Sequence, residues 1–142
     1  MAQSFSIGQI ARRSGAAVET IRYYEREGLL EQPARSPSGY RRYPPEVVTR
    51  LCFIRQAKEL GFSLREIKEL LSLRVEAGRS CRDVKARAEH KIADVNQRIA
   101  ALKRMKNALG KLAASCSGRG PTSECPILDA LETRELTRSR PA

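Results

Sequence analysis

Residues 6–30 read SIGQIARRSGAAVETIRYYEREGLL, and this stretch decides the fold. Ser6 followed by Gln9 has the spacing of a capping box, in which the two side chains satisfy each other's orphan backbone donors at a helix start. Ile7 and Ile10 give the short helix that follows one apolar side, and Gly15 ends it. In the next segment Val18, Ile21, Leu29 and Leu30 are apolar, while Thr20, Arg22, Tyr23 and Arg26 leave a polar and basic surface. Two short helices about a tight glycine turn make a helix-turn-helix candidate, whose second helix would enter the major groove of DNA. Ordinary packing of two short helices produces the same pattern, so the neighbouring sequence has to separate the two readings.

Residues 31–46, EQPARSPSGYRRYPPE, place Pro33, Pro37, Ser38 and Gly39 ahead of Tyr40, Arg41, Arg42 and Tyr43. Turn chemistry followed by alternating tyrosine and arginine predicts a small β-hairpin wing that reaches the DNA backbone, with a solvated loop as the alternative. Pro44 and Pro45 suit the first turn of a third helix, whose expected core residues are Val47, Val48, Leu51, Phe53, Ile54 and Leu60. Cys52, between Leu51 and Phe53, is expected as small core filler. Gly61 stops that helix. Ser63 and Glu66 form a second capping-box pattern ahead of Leu64, Ile67, Leu70 and Leu71, and the unit closes near Arg74.

Beyond a polar linker around Glu76, Ala77 and Gly78, apolar residues fall at Val84, Ala88, Ile92, Val95, Ile99, Leu102, Met105, Leu109 and Leu112. The steps are almost all three or four, which predicts one long helix with a narrow apolar seam. Such a seam is buried against an equivalent helix of a second chain, or by folding back on the chain's own N-terminal half. Cys81 precedes the helix and Cys116 follows it 35 positions later. At the rise of an α-helix that separation is roughly 50 Å, so the two meet only if a partner helix runs antiparallel.

The chain has 142 residues and a net charge of +11, from 27 Lys+Arg against 16 Asp+Glu. The excess is spread evenly, 13 basic against 8 acidic residues up to Arg74 and 14 against 8 beyond it, so no basic tail accounts for it. A polyanionic partner is implied, though basicity alone does not separate DNA from RNA or an anionic membrane. No apolar run reaches membrane-spanning length and the N-terminus lacks a signal-peptide core, so the expectation is a cytoplasmic chain without membrane association. Four cysteines in that reducing compartment read as metal ligands, redox thiols or buried filler rather than structural disulfides.

Cys116 and Cys125 bracket SGRGPTSE, whose Gly118, Gly120 and Pro121 can fold a compact loop ahead of a short helix from Pro126 through Leu131. With Cys81 they would form an all-sulfur, three-coordinate site, which selects soft ions over Mg²⁺, Ca²⁺ or Mn²⁺. A structural zinc site would want a fourth Cys or His. The only histidine, His90, lies among Arg87, Glu89 and Lys91 and reads as solvated. Incidental cysteines and a redox disulfide within the loop remain open on spacing alone.

In order, IGQIARRSG, VETIRYYEREGLL, SGYRRY and LCFIRQAKELGFSLREIKELL are similar to the winged helix-turn-helix of MerR-family transcriptional regulators, over nearly the whole first 75 residues. Where many members have a capping Ser or Asn before the Val-Glu-Thr, this chain has Ala16 and Ala17, so the recognition helix is expected to fray at its start. SCRDV, AASC and SECPILDAL resemble the three-cysteine pattern of the mercury-responsive branch, with thiols at Cys81, Cys116 and Cys125. The resemblance implies Hg(II) as regulatory ligand, with Pb(II), Cd(II) and Zn(II) sensors as close relatives. It further implies a homodimer on double-stranded promoter DNA that represses without metal and, with metal, distorts the DNA so that RNA polymerase engages. Arg22, Tyr23, Tyr40, Arg41 and Tyr43 are the DNA contacts expected in that account, mostly to phosphate, with Thr20 added.

The fold class expected is mainly α. A winged helix-turn-helix over 1–75 is followed by a linker at 76–83 and a long antiparallel coiled-coil dimerisation helix at 84–114. A metal-binding loop and short helix occupy 115–132, and a disordered tail 133–142. No Ser-His-Asp set, phosphate-cradling glycine loop or carboxylate pair in a cleft is present, so catalysis is not expected.

Overall fold

The computed structural model describes residues 3–33, 37 and 39–133. The fold is mainly helical: α1 (Ile7–Ser14), α2 (Val18–Arg26), α3 (Glu46–Glu59), α4 (Leu64–Val75), α5 (Cys81–Ala114) and α6 (Pro126–Glu132), with a 3-10 turn at Thr122–Glu124. Two compact units divide the chain, one reaching Lys91 and the other beginning at Ile92.

In the first unit both expected capping boxes form. The Ser6 amide donates to Gln9 Oε1 at 2.8 Å and the Gln9 amide to Ser6 Oγ at 3.2 Å. Ser63 and Glu66 repeat the arrangement at 2.8 and 3.1 Å. Each box supplies acceptors for backbone amides that a helix start otherwise leaves to water. Gly15, at φ 76°, turns α1 into α2, and its amide closes on the Ala11 carbonyl at 2.9 Å. Ala17 offers no side-chain cap to α2, which begins at Val18. Ile10, Ile21, Ile54 and Ile67, one from each of α1 to α4, are fully buried together and join the elements into one core.

The end of the expected wing is tied to the start of the chain. Tyr43 makes an antiparallel bridge to Phe5, with amide–carbonyl distances of 2.7 and 2.8 Å in the two directions, and Arg41 also lies in a bridge position. Phe5 and Tyr43 are both buried, so the chain entering α1 and the chain leaving the wing hold each other against the core. Residues 34–36 and Ser38, which belong to the expected wing, lie outside the described residues, as does the expected tail apart from Thr133.

Two expected core residues are corrected. Cys52 is exposed, because the buried face of α3 is set by Leu51, Ile54 and Ala57 at steps of three, and Cys52 lies about 100° off that stripe. Leu60 is 67% exposed. The chain reverses at Gly61, and the Phe62 amide returns to the Ala57 carbonyl at 3.1 Å, so Phe62 packs on the core instead.

α5 starts at Cys81, three residues before the expected Val84, with the Ser80 amide held by the Asp83 carboxylate at 3.0 Å. Its opening turns are fastened to α4 by Arg87–Glu69 at 2.5 Å and Lys91–Glu66 at 2.8 Å. Gly110 does not interrupt the helix, which runs for 34 residues. In the second unit Leu112 is buried, but the seam from Ile92 to Leu109 is not: Ile92, Ile99, Leu102, Met105 and Leu109 are 44–63% exposed. Among the described residues no helix is long and apolar enough to cross a membrane.

Candidate nucleic-acid interface and metal-ligand cysteines

The expected recognition helix, α2, buries Ile21, Tyr24 and Glu25 and leaves Arg22 and Tyr23 outward. Arg22 lines an open groove of about 490 Å³ with Ser6, Ile7 and the wing residues Tyr40, Arg41 and Arg42. Tyr40 is 74% exposed. Arg42 ties the wing to the N-terminal segment, its guanidinium donating to the Ser4 carbonyl at 2.9 Å and to Ser4 Oγ at 3.2 Å. Cationic and phenolic groups on a concave surface beside a recognition helix are the chemistry that holds DNA phosphates.

Not all expected contacts converge there. Tyr23 is 40% exposed and carries the Arg26 guanidinium 5.9 Å over its ring. Thr20 is half-buried and lines a different groove, with Arg55 and Lys58 of α3. The expectation for Tyr43 is corrected: it is 1% exposed, and its hydroxyl donates to Glu25 Oε1 at 2.5 Å. Burial, then the Glu25 hydrogen bond, pushes the Tyr43 pKa up to about 12, because ionisation would place a second anion beside a carboxylate away from water. Arg41 Nη1 lies 3.5 Å from the other oxygen of Glu25, while its side chain stays 34% exposed.

Glu25 is the residue that sequence reasoning missed. It falls four positions after Ile21 on the buried stripe of α2, and a carboxylate on an apolar stripe demands a donor and a cation from elsewhere in the fold. The wing supplies both.

Cys81 opens α5 and is exposed; Cys116 follows the last residue of that helix by two and is half-buried. The turn after it depends on Gly118 at φ 79°, whose amide donates to Cys116 Sγ at 3.4 Å. Cys125, also half-buried, is the N-cap of α6, and its carbonyl accepts from the Asp129 amide at 3.0 Å, with Pro126 at the first helical position. All three thiols are free. Among the described residues of one chain, no group of three Cys, His, Asp or Glu is placed to hold a metal ion. The donor set itself fits a soft ion: unpaired sulfurs, with His90 exposed.

Two family models match the chain, "MerR HTH family regulatory protein" over residues 5–73 and "MerR, DNA binding" over residues 48–112. The chain is 42% identical, over 92% of its length and 89% of the other, to the mercuric resistance operon regulatory protein of Pseudomonas fluorescens. Its structure is similar to that of the transcription regulator PbrR691 from Ralstonia metallidurans CH34 in complex with lead(II). The TM-score is 0.81 with 36% identity, covering 89% of this chain and 98% of that one. It is also similar to the dual-function regulator MerR from Bacillus megaterium MB1 in complex with mercury(II), with a TM-score of 0.71 and 38% identity over 91% of this chain and all of that one. A helix-turn-helix with a basic groove, a long helix flanked by free thiols and these likenesses lead to one assignment: the chain belongs to the MerR family, as a metal-responsive, DNA-binding transcriptional regulator and not an enzyme.

Proposed function

We propose that this regulator senses Hg(II) through Cys81, Cys116 and Cys125, and that each site is shared across a cytoplasmic homodimer bound to promoter DNA. The observation that carries the reading is the donor set: three free thiols, two of them flanking α5, and no group of three ligands within one chain among the described residues. Pairing α5 antiparallel with its copy would bury the exposed seam from Ile92 to Leu109 and bring Cys81 of each chain to the Cys116–Cys125 loop of the other. Three thiolates without a fourth donor suit Hg(II) better than tetrahedral zinc.

Without metal the dimer holds the promoter silent. With metal the loop and the start of α5 are drawn together, and α5 passes the change to the DNA-reading unit through Arg87–Glu69 and Lys91–Glu66. The output is distorted DNA on which RNA polymerase engages. Arg22, Tyr23, Tyr40 and Arg41 are the proposed DNA contacts, mainly to phosphate, with Thr20 peripheral to them.

Pb(II), Cd(II) and Zn(II) are the competing signals, Pb(II) foremost because of the likeness to a lead-bound regulator. Titrating the reduced, metal-free protein with each ion in excess competing thiol, and following sulfur-to-metal charge-transfer absorption, separates them. Tight binding preferring Hg(II) supports the reading; preference for another ion changes the signal. A Cys116–Cys125 disulfide with indifference to metal would replace it with thiol redox sensing.

A further inference from the structure

Glu25 is a buried acid with 1% side-chain exposure, and both of its partners come from the wing: the Tyr43 hydroxyl at 2.5 Å and Arg41 Nη1 at 3.5 Å. An isolated carboxylate in that position would be costly, so the fold keeps it only while the cation stays close. Tyr43 is fixed independently by its backbone bridge to Phe5 and by its burial in the core. Its hydroxyl therefore aims the carboxylate, and the carboxylate in turn engages one edge of the Arg41 guanidinium. The fork of an arginine carries five donors, and the Arg41 side chain remains a third exposed on the groove it shares with Arg22 and Tyr40.

We propose that Glu25 is a positioning residue for DNA binding, which pins one edge of Arg41 to the recognition helix so that the other edge meets a phosphate in register with Arg22. The inference rests on Arg41 being a phosphate contact. Pinning removes rotamer freedom that a free arginine would lose on binding, and it locks the wing to α2 so that the two engage DNA as one rigid surface. The acid raises affinity for DNA although it carries the same sign of charge as the phosphates.

The test is a double-mutant cycle on the full chain. Affinity for a labelled mixed-sequence DNA duplex is measured across a series of salt concentrations for wild type, Glu25→Gln, Arg41→Gln and the double variant, with urea unfolding of each. Arg41→Gln should weaken binding several-fold and lower the salt slope by about one. Glu25→Gln, which keeps the shape and an acceptor for Tyr43, should reproduce the loss of affinity and part of the loss of slope, and add nothing once Arg41 is gone. Where Glu25→Gln does not fold, Glu25→Asp, which keeps the charge but withdraws it by one methylene, should show the same dependence on Arg41. An unchanged or raised affinity in the Glu25 variant, or an equal loss with and without Arg41, overturns the proposal. If Arg41→Gln itself leaves affinity and slope unchanged, Arg41 is not a phosphate contact and the proposal falls with that reading.

Discussion

At the scale of single residues, the two kinds of polar side chain respond differently to substitution. Cys81 is exposed at the first turn of a long helix, so Cys81→Ser removes a sulfur without removing packing. It should leave the unfolding midpoint and the DNA affinity within error of wild type and abolish the metal response in run-off transcription. Tyr43 is the opposite case. Tyr43→Phe leaves Glu25 buried without its hydroxyl donor and should cost about 1–3 kcal/mol in urea unfolding. Its titration has a defined sign. The folded pKa is raised to about 12 from 10, so the stabilisation is fully present below pH 10 and is lost as pH rises through 12. The alkaline limb of a stability–pH curve should flatten in Tyr43→Phe. Residue roles were the least legible part of the sequence. Tyr43 and Tyr40 share one short motif, yet one is core and the other 74% exposed; the bridge to Phe5 and the hydrogen bond to Glu25 hold Tyr43 inward.

Elements were legible where local chemistry specifies them. Both capping boxes, the Gly15 turn and the long helix follow from spacing alone, because their partners lie within a few residues. The pairing of Tyr43 with Phe5, 38 residues away, was not, because no local signal announces it. Leu60 misled because an apolar residue at a helix end takes its side from the reversal that follows. The join between α4 and α5 makes a prediction at this scale. Glu66, hydrogen-bonded first by Lys91 and then by the Ser63 amide, has its pKa lowered from 4.5 to about 2. Its contribution is therefore present above pH 4.5 and lost as pH falls through 2. Glu66→Gln keeps an acceptor for Ser63 and removes only the charge. It should destabilise the protein near neutrality by about 1 kcal/mol or less, since the pair is partly solvated, and the difference should vanish near pH 2. The seam of α5 makes another. Ile99→Asp places a charge in the middle of the exposed apolar stripe and should convert a dimer to monomers in sedimentation velocity, with the helix-turn-helix still folded.

At the scale of the whole molecule, DNA reading and metal sensing are built on different principles. The first unit carries its own core and a groove completed within one chain, so a fold and the proposed phosphate-binding surface come from residues that fold together. The proposed metal site, by contrast, rests on three free cysteines and their order along the chain. Sharing of the site between two chains is the central claim, and subunit mixing tests it most directly. Cys81→Ser protein and Cys116→Ser/Cys125→Ser protein are each expected to fail to bind Hg(II) tightly in excess thiol. After the two are mixed and allowed to exchange subunits, the mixed dimer contains one complete set of thiols. The account predicts that charge-transfer absorption returns at one Hg(II) per mixed dimer. No recovery after demonstrated exchange, or wild-type binding by Cys81→Ser alone, would contradict it.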